Sequence, residues 1–86
     1  MPVVGMDMLI VLPFGFVICG HVEERLEGNQ FRIVDTSLIC RTGGTPWDLL
    51  ADGEGRDKAT FRPWGDVWVG PEFVLSREWK RGLPCK

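Results

Sequence analysis

Glycine and proline divide this chain into short segments, which favours short strands and turns over long helices. Eleven Gly and six Pro are dispersed between apolar runs in a sequence of 86 residues. Both residues are unfavourable in helix interiors and common in turns, so their positions predict where segments end. A chain of this length holds one hydrophobic core. The sequence therefore predicts a single, mainly β domain over residues 1–86, with residues 80–86 as a loosely attached tail.

Apolar alternation places three strands in the first half of the chain. Residues 8–12 form a continuous apolar run, and residues 16–24 alternate between two faces as a half-buried strand does. Residues 27–30, Glu-Gly-Asn-Gln, supply two central positions that tolerate positive φ and predict a tight turn. Residues 31–41 form the returning strand, with a bulge or bend predicted at the polar segment 35–37.

One segment in the middle of the chain has the signature of a short helix. Thr45 is a candidate N-cap, Pro46 fits the first helical position, and Gly53 can end the helix in a left-handed conformation. The spacing from Thr45 to Gly53 predicts about two turns of helix. Trp47, in the first of these turns, is predicted to fill the core.

The second half of the chain completes the predicted sheet. Residues 59–62 and 66–69 flank Pro63-Trp64-Gly65, which predicts a three-residue hairpin, and residues 72–79 form the last strand. Five or six short antiparallel strands with one short helical insert predict a small, partly open SH3-like barrel, because curling the sheet buries its apolar face. The alternative is an α+β arrangement in which the helix packs on an open antiparallel sheet.

Several of these segments together resemble small uncharacterised proteins of phages and integron gene cassettes. The resemblance rests on the hairpin 16–33, on Thr-Ser-Leu-Ile-Cys-Arg at 36–41, on Trp-Asp-Leu-Leu-Ala-Asp-Gly at 47–53, and on the closing Val-Trp-Val and Phe-Val-Leu strands. It covers most of the chain and consists of turns and apolar alternation. It implies a mobile-element cargo protein that acts by binding, inhibition or assembly, and it brings no catalytic residues.

Charge and composition narrow the choice of partner and compartment. The formal charge of −2 gives no broad positive field for a phosphate backbone, so nucleic acid is not the favoured partner. Asp7, Pro13 and Gly15 interrupt the apolar N-terminal segment, which argues against a membrane span or a signal peptide. Three Cys without a CxxC spacing favour free thiols in a reducing cytoplasm.

Residues able to support catalysis or metal binding are scarce. His21 is the only His, so a Cys–His or Ser–His pair would have to use it. Cys19, His21 and Cys40 are acceptable zinc ligands, but a structural zinc site needs four. We therefore predict no catalytic residue, no metal and no cofactor. A small-ligand or enzyme site around His21 and Cys40 is kept as an alternative.

The segment 62–68, Arg-Pro-Trp-Gly-Asp-Val-Trp, is the strongest candidate for a contact surface. Large aromatic side chains beside Arg are typical of binding hot spots, and in small barrels they also stack single-stranded bases. We predict a non-enzymatic interaction module, either homo-oligomeric or bound to a protein partner, with a nucleic-acid-binding barrel as the alternative. The predicted binding residues are Arg41, Arg62, Trp64 and Trp68.

Overall fold

Five antiparallel strands form one open sheet. The computed structural model describes residues 2–84, and its strands and helix are β1 (Asp7–Val11), β2 (Val17–Arg25), β3 (Phe31–Arg41), α1 (Trp47–Asp52), β4 (Thr60–Val69) and β5 (Leu75–Glu78). Single 3-10 turns lie at Pro13–Gly15, Glu27–Asn29 and Arg56–Lys58. The strand order is β4-β3-β2-β1-β5, and every pairing is antiparallel. The predicted mainly β class with one short helical insert is confirmed, and β4 and β5 are the edges of the sheet.

Both faces of the sheet carry buried side chains. On one side, which we call the helix face, the buried residues include α1 and the segment after β5: Leu9, Val11, Val17, Cys19, Ile39, Leu50, Ala51, Trp79 and Leu83. On the opposite side, the inner face, they are Met8, Ile10, Ile18, Val22, Phe31, Ile33 and Val69. A strand that is buried on both faces has no solvent-facing positions. This double burial explains why the apolar run of β1 is continuous.

The chain crosses the inner face between β4 and β5. These strands lie at opposite edges of the sheet, four strand spacings apart, which in a flat sheet is roughly 19 Å. Residues 70–74 make the connection, and Phe73 packs against the inner-face cluster on the way. Register shifts along the β2–β3 and β3–β4 ladders mark bulges, which bend strands. The bent strands and the crossing segment 70–74 together shield the inner face from solvent, whereas α1 covers the opposite face.

The turn between β2 and β3 is confirmed as the sequence predicts it. Gly28 and Asn29 both adopt positive φ, at 73° and 59°. These conformations suit Gly and Asn better than other residues, which is why the sequence signal was specific. The turn sets the register in which Arg25 pairs with Phe31.

The prediction of a hairpin turn at Pro63-Trp64-Gly65 is wrong. These residues lie inside β4, which pairs with β3 on both sides of them. The register skips Trp64, so this residue is an extra one on β4, while Asp35 lies in the bulge predicted on β3. Asp35 and Gly65 adopt positive φ of 51° and 73°, and the two irregularities offset each other in the ladder. Pro63 is tolerated because an edge strand can leave one side of its backbone unpaired.

The helix ends as predicted but begins differently. Gly53 adopts φ 108° at the C-cap, and its N–H donates to the carbonyl of Leu50 at 3.0 Å. Thr45 does not cap α1, because Pro46 occupies the N-cap position and no side chain bonds there. Thr45 instead lies so close to Gly55 that a Cβ on that glycine would overlap it. Thr45 thus lies one position before the N-cap residue.

The segment after β5 is anchored by Arg56. The guanidinium of this residue donates to four backbone carbonyls, those of Leu50, Ala51, Lys80 and Gly82. It also lies 3.9 Å above the ring of Trp79, and Leu83 is buried in the helix-face cluster. Residues 80–84 are therefore held against the domain, in contrast to the loose tail expected from the sequence. Residues 85–86 lie outside the described part of the chain.

Candidate contact surface

Trp68 points to the helix face and stands among charges. Its neighbour Val67 packs against the inner-face cluster, so alternation directs Trp68 to the other side, where it is 59% exposed. Trp68 pairs across the ladder with Arg32, whose guanidinium lies 2.9 Å from Glu24 and 3.4 Å from Asp66. The hydrogen bond to Glu24 raises the pKa of Arg32. The surroundings of Trp68 are thus charged and solvated.

Trp64 lies on the opposite side of the sheet, next to Phe16. The two ring centroids are 6.5 Å apart with planes inclined at 43°. Phe16 precedes Ile18 of the inner-face cluster by two residues, so alternation places it on the inner face. Trp64 and Phe16 are 46% and 51% exposed. Arg62 shares this side, because it pairs with Leu38, which packs against the inner-face cluster.

The four predicted binding residues therefore do not form one surface. Arg62 and Trp64 lie on the inner face and Trp68 on the helix face, while Arg41 is exposed at the end of β3 opposite Thr60. An even spacing of four residues would put Trp64 and Trp68 on the same face of a regular strand. The bulge at Trp64 shifts the alternation by one residue and separates them.

Phe14 is the most exposed of the large apolar side chains in residues 2–84, and the sequence prediction missed it. It occupies the turn Pro13–Gly15 with φ 69° and is 99% exposed. A left-handed conformation costs a residue with a Cβ about 1–2 kcal/mol. The signal was the tripeptide Pro-Phe-Gly, because an aromatic residue between two turn formers has no strand to carry it into the core. We call Phe14, Phe16 and Trp64 the aromatic patch.

The aromatic patch and the ion pairs of β2, β3 and β4 lie at opposite ends of the sheet. The patch adjoins the β1–β2 turn, and Leu75, the exposed first residue of β5, pairs with Val11 at that same end. The ion pairs of the opposite end join Asp7, His21, Glu23, Glu24, Arg32 and Asp66. The centres of protein interfaces are depleted in charged residues and enriched in aromatic ones. The end that carries the aromatic patch is therefore better suited to burial by a partner than the end that carries the ion pairs.

The structure does not bring His21 and Cys40 together. His21 pairs with Val34, and Cys40 lies six positions further along β3, roughly 20 Å away. The Nδ1 atom of His21 is 2.9 Å from an Asp7 carboxylate oxygen, and its Nε2 is 3.8 Å from Glu23. Within residues 2–84, no three His, Cys, Asp or Glu side chains lie close enough to share a metal ion.

A shallow pocket opens on the helix face, between β5 and the loop that precedes α1. Its volume is about 550 Å³, and it is lined by Thr42, Gly44, Thr45, Pro46, Trp47, Asp48 and Leu75. Trp47 is 40% exposed, so the prediction that it fills the core is wrong. A short helix buries one side only, and here that side carries Leu50 and Ala51.

Two further observations concern membrane-spanning helices and similarity to known proteins. No helix within residues 2–84 has the length and apolar character needed to cross a membrane. Comparison with known proteins gives no matching family model and no matching curated protein.

Proposed function

We propose that this chain is a non-enzymatic interaction module that associates with a second copy of itself through the aromatic patch. The observation that carries the proposal is Phe14, which is almost fully exposed in a left-handed backbone conformation. In the isolated domain this residue contributes strain and no burial. A neighbouring copy that covered Phe14 would reverse this balance, because burying a Phe side chain stabilises by about 1.5–3 kcal/mol.

The size of the patch sets the strength of the contact. Phe14, Phe16 and Trp64 together expose roughly 400 Å² of aromatic surface. A standard interface buries about 800 Å² on each partner, so residues that flank the β1–β2 turn and β4 must supply the rest. We expect a reversible dimer with a dissociation constant on the order of micromolar.

Nucleic-acid binding, the alternative that the sequence left open, has less support. A single strand that stacked its bases on Trp64 and Trp68 would need both indoles on one surface, but they point to opposite faces. Arg32, beside Trp68, is already paired with two carboxylates and offers little charge to a phosphate. The formal charge of −2 also favours a protein partner.

The setting that we propose for the module is a mobile genetic element and the cytoplasm of its host. The first part rests on the resemblance to small proteins of phages and integron gene cassettes. The second part rests on Cys40, an exposed free thiol, because such thiols persist in a reducing compartment.

Replacing Phe14 with Asn is expected to weaken self-association without unfolding the domain. Asn tolerates the left-handed conformation, so the variant should match the wild type in stability or exceed it by up to about 1 kcal/mol. Loss of the aromatic ring should raise the dissociation constant by roughly tenfold or more. Light scattering coupled to size exclusion, over a range of protein concentrations, measures the association, and urea denaturation measures the stability.

Trp68→Asn is the matched control, because it removes an exposed aromatic side chain from the charged surroundings on the other face. This variant should dimerise as the wild type does. A wild-type chain that stays at the monomer mass of 9.7 kDa at every concentration would refute the proposal. Equal weakening by both substitutions would also count against the aromatic patch.

A further inference from the structure

β5 is an edge strand whose outer edge is open. Among the described strands it pairs with β1 alone. The N–H of Trp79 donates to the carbonyl of Asp7 at 2.8 Å. This bond shows which residues of β5 direct their backbone groups towards β1. Backbone groups of successive residues alternate between the two edges of an antiparallel strand. The N–H and C=O groups of Ser76 and Glu78 therefore point outward, where an extended chain can pair with them.

The other edge of the sheet is less open to a new strand. β4 contains Pro63, which has no N–H, and the bulge at Trp64 interrupts its regular pairing. Proline and bulges at an edge both hinder the addition of another strand. β5 has neither of them over its four residues, Leu75–Glu78.

The pocket on the helix face lies beside this open edge. Leu75 of β5 lines it together with Thr42 and residues 44–48. Asp48 is the one charged residue that lines it, and this carboxylate forms no ion pair within residues 2–84. Arg77, which follows Leu75 on the same face of β5, is already engaged at 3.7 Å by Asp52. The pocket is thus apolar with one unpaired negative charge.

We propose that the outer edge of β5 and this pocket together bind an extended, basic segment of a partner protein. The segment adds to β5 as a further strand and places a Lys or Arg side chain in the pocket. Strand addition supplies backbone hydrogen bonds, and pockets for alternate side chains supply specificity. The aliphatic stem of the basic residue packs on Leu75, and its charged head lies between the indole of Trp47 and the carboxylate of Asp48.

The charge of Asp48 decides which side chain the pocket accepts. Asp48 lies in the first turn of α1 and lines the pocket. With Asp48 ionised the pocket attracts a cation, and with a neutral residue in its place the pocket loses that attraction. The pocket lies on the helix face, whereas Phe16 and Trp64 of the aromatic patch lie on the inner face, so this inference does not rest on self-association.

The test is a titration of the isotope-labelled full chain with a synthetic peptide, acetyl-Thr-Val-Lys-Val-Thr-amide, up to about 1 mM. The backbone amide signals of Ser76 and Glu78 and the indole N–H of Trp47 are expected to shift together. Matched peptides with Glu or norleucine in place of Lys should bind at least roughly tenfold more weakly. Asp48→Asn should lower the affinity for the Lys peptide roughly fivefold, whereas Asp57→Asn, an exposed carboxylate outside the pocket, should not.

Three outcomes would overturn the inference. They are unchanged Ser76 and Glu78 amides, equal affinity for the norleucine peptide, and full affinity of the Asp48→Asn protein. The Phe14→Asn protein should bind the Lys peptide as the wild type does. Loss of binding in that variant would contradict the independence of the two surfaces.

Discussion

Replacing Arg56 with Ala is expected to lower the free energy of unfolding by about 3 kcal/mol. The guanidinium donates to backbone carbonyls of α1 at Leu50 and Ala51 and to those of Lys80 and Gly82 after β5. It also stacks on Trp79, and its burial lowers the pKa of Arg56 because desolvation disfavours the charged form. Removing it leaves partly buried acceptors without a donor and releases the segment that carries Leu83. Urea denaturation followed by Trp fluorescence measures the loss.

A chain of this size has a total stability of roughly 4–13 kcal/mol, so the loss would be a large share of it. Arg56→Lys should fall between wild type and Arg56→Ala, because an ammonium keeps the charge but has too few N–H donors for four carbonyls. Arg41→Ala, at an exposed arginine whose side chain forms no hydrogen bond or ion pair within residues 2–84, should change stability by less than about 0.5 kcal/mol. An Arg56→Ala effect as small as that of Arg41→Ala would show that water replaces the guanidinium without cost.

Gly20→Ala is expected to destabilise the domain by about 2–3 kcal/mol through overpacking. A Cβ at this position would lie 2.6 Å from Cγ2 of Ile33 and 3.0 Å from both Oγ1 of Thr36 and the carbonyl of Val34. Ile33 and Thr36 are fully buried, so neither side chain can move aside freely. Thermal or urea unfolding of the variant measures the cost.

Gly70→Ala is the matched control for Gly20→Ala. A Cβ at Gly70 meets nothing within 4 Å, and this glycine does not adopt a positive φ. The substitution should be neutral or stabilising by up to about 1 kcal/mol, because Ala restricts the unfolded chain. If both variants unfold at the same urea concentration, the close approach of β2 and β3 at Gly20 does not affect the stability of the domain.

The parts of the fold that the sequence predicts well are those in which one local signal has one structural meaning. The turn at Gly28-Asn29 and the helix end at Gly53 are specified by residues that tolerate positive φ. The segment 63–65 carries a similar signal, yet its glycine serves a bulge within β4. Only the register with β3 distinguishes a bulge from a turn, and register is not a local property of the sequence. The same limit explains why residues 80–84 were expected to be loose.

The candidate surface was predicted in part. Arg62 and Trp64 lie exposed on the inner face. Trp68 lies on the opposite face, because the bulge at Trp64 shifts the alternation of side chains by one residue. Phe14 was missed because a large aromatic residue in an apolar segment is normally assigned to the core. Its flanking Pro13 and Gly15 carried the information, since both favour a turn and turns lie mostly at the surface.

The pairing of β1 with β5 also has a consequence for synthesis on the ribosome. Met8 pairs with Glu78 and Val11 with Leu75. Met8, the second residue of β1, therefore cannot form this pair until a residue 70 positions later has been synthesised. Until residues 75–83 emerge, a nascent chain can form the β1–β2–β3–β4 array but leaves one edge of β1 open and the helix-face cluster without Trp79 and Leu83. Contacts this distant in sequence form slowly, and unpaired edges promote aggregation. Completion of the sheet thus depends on β5, which is synthesised after the other four strands.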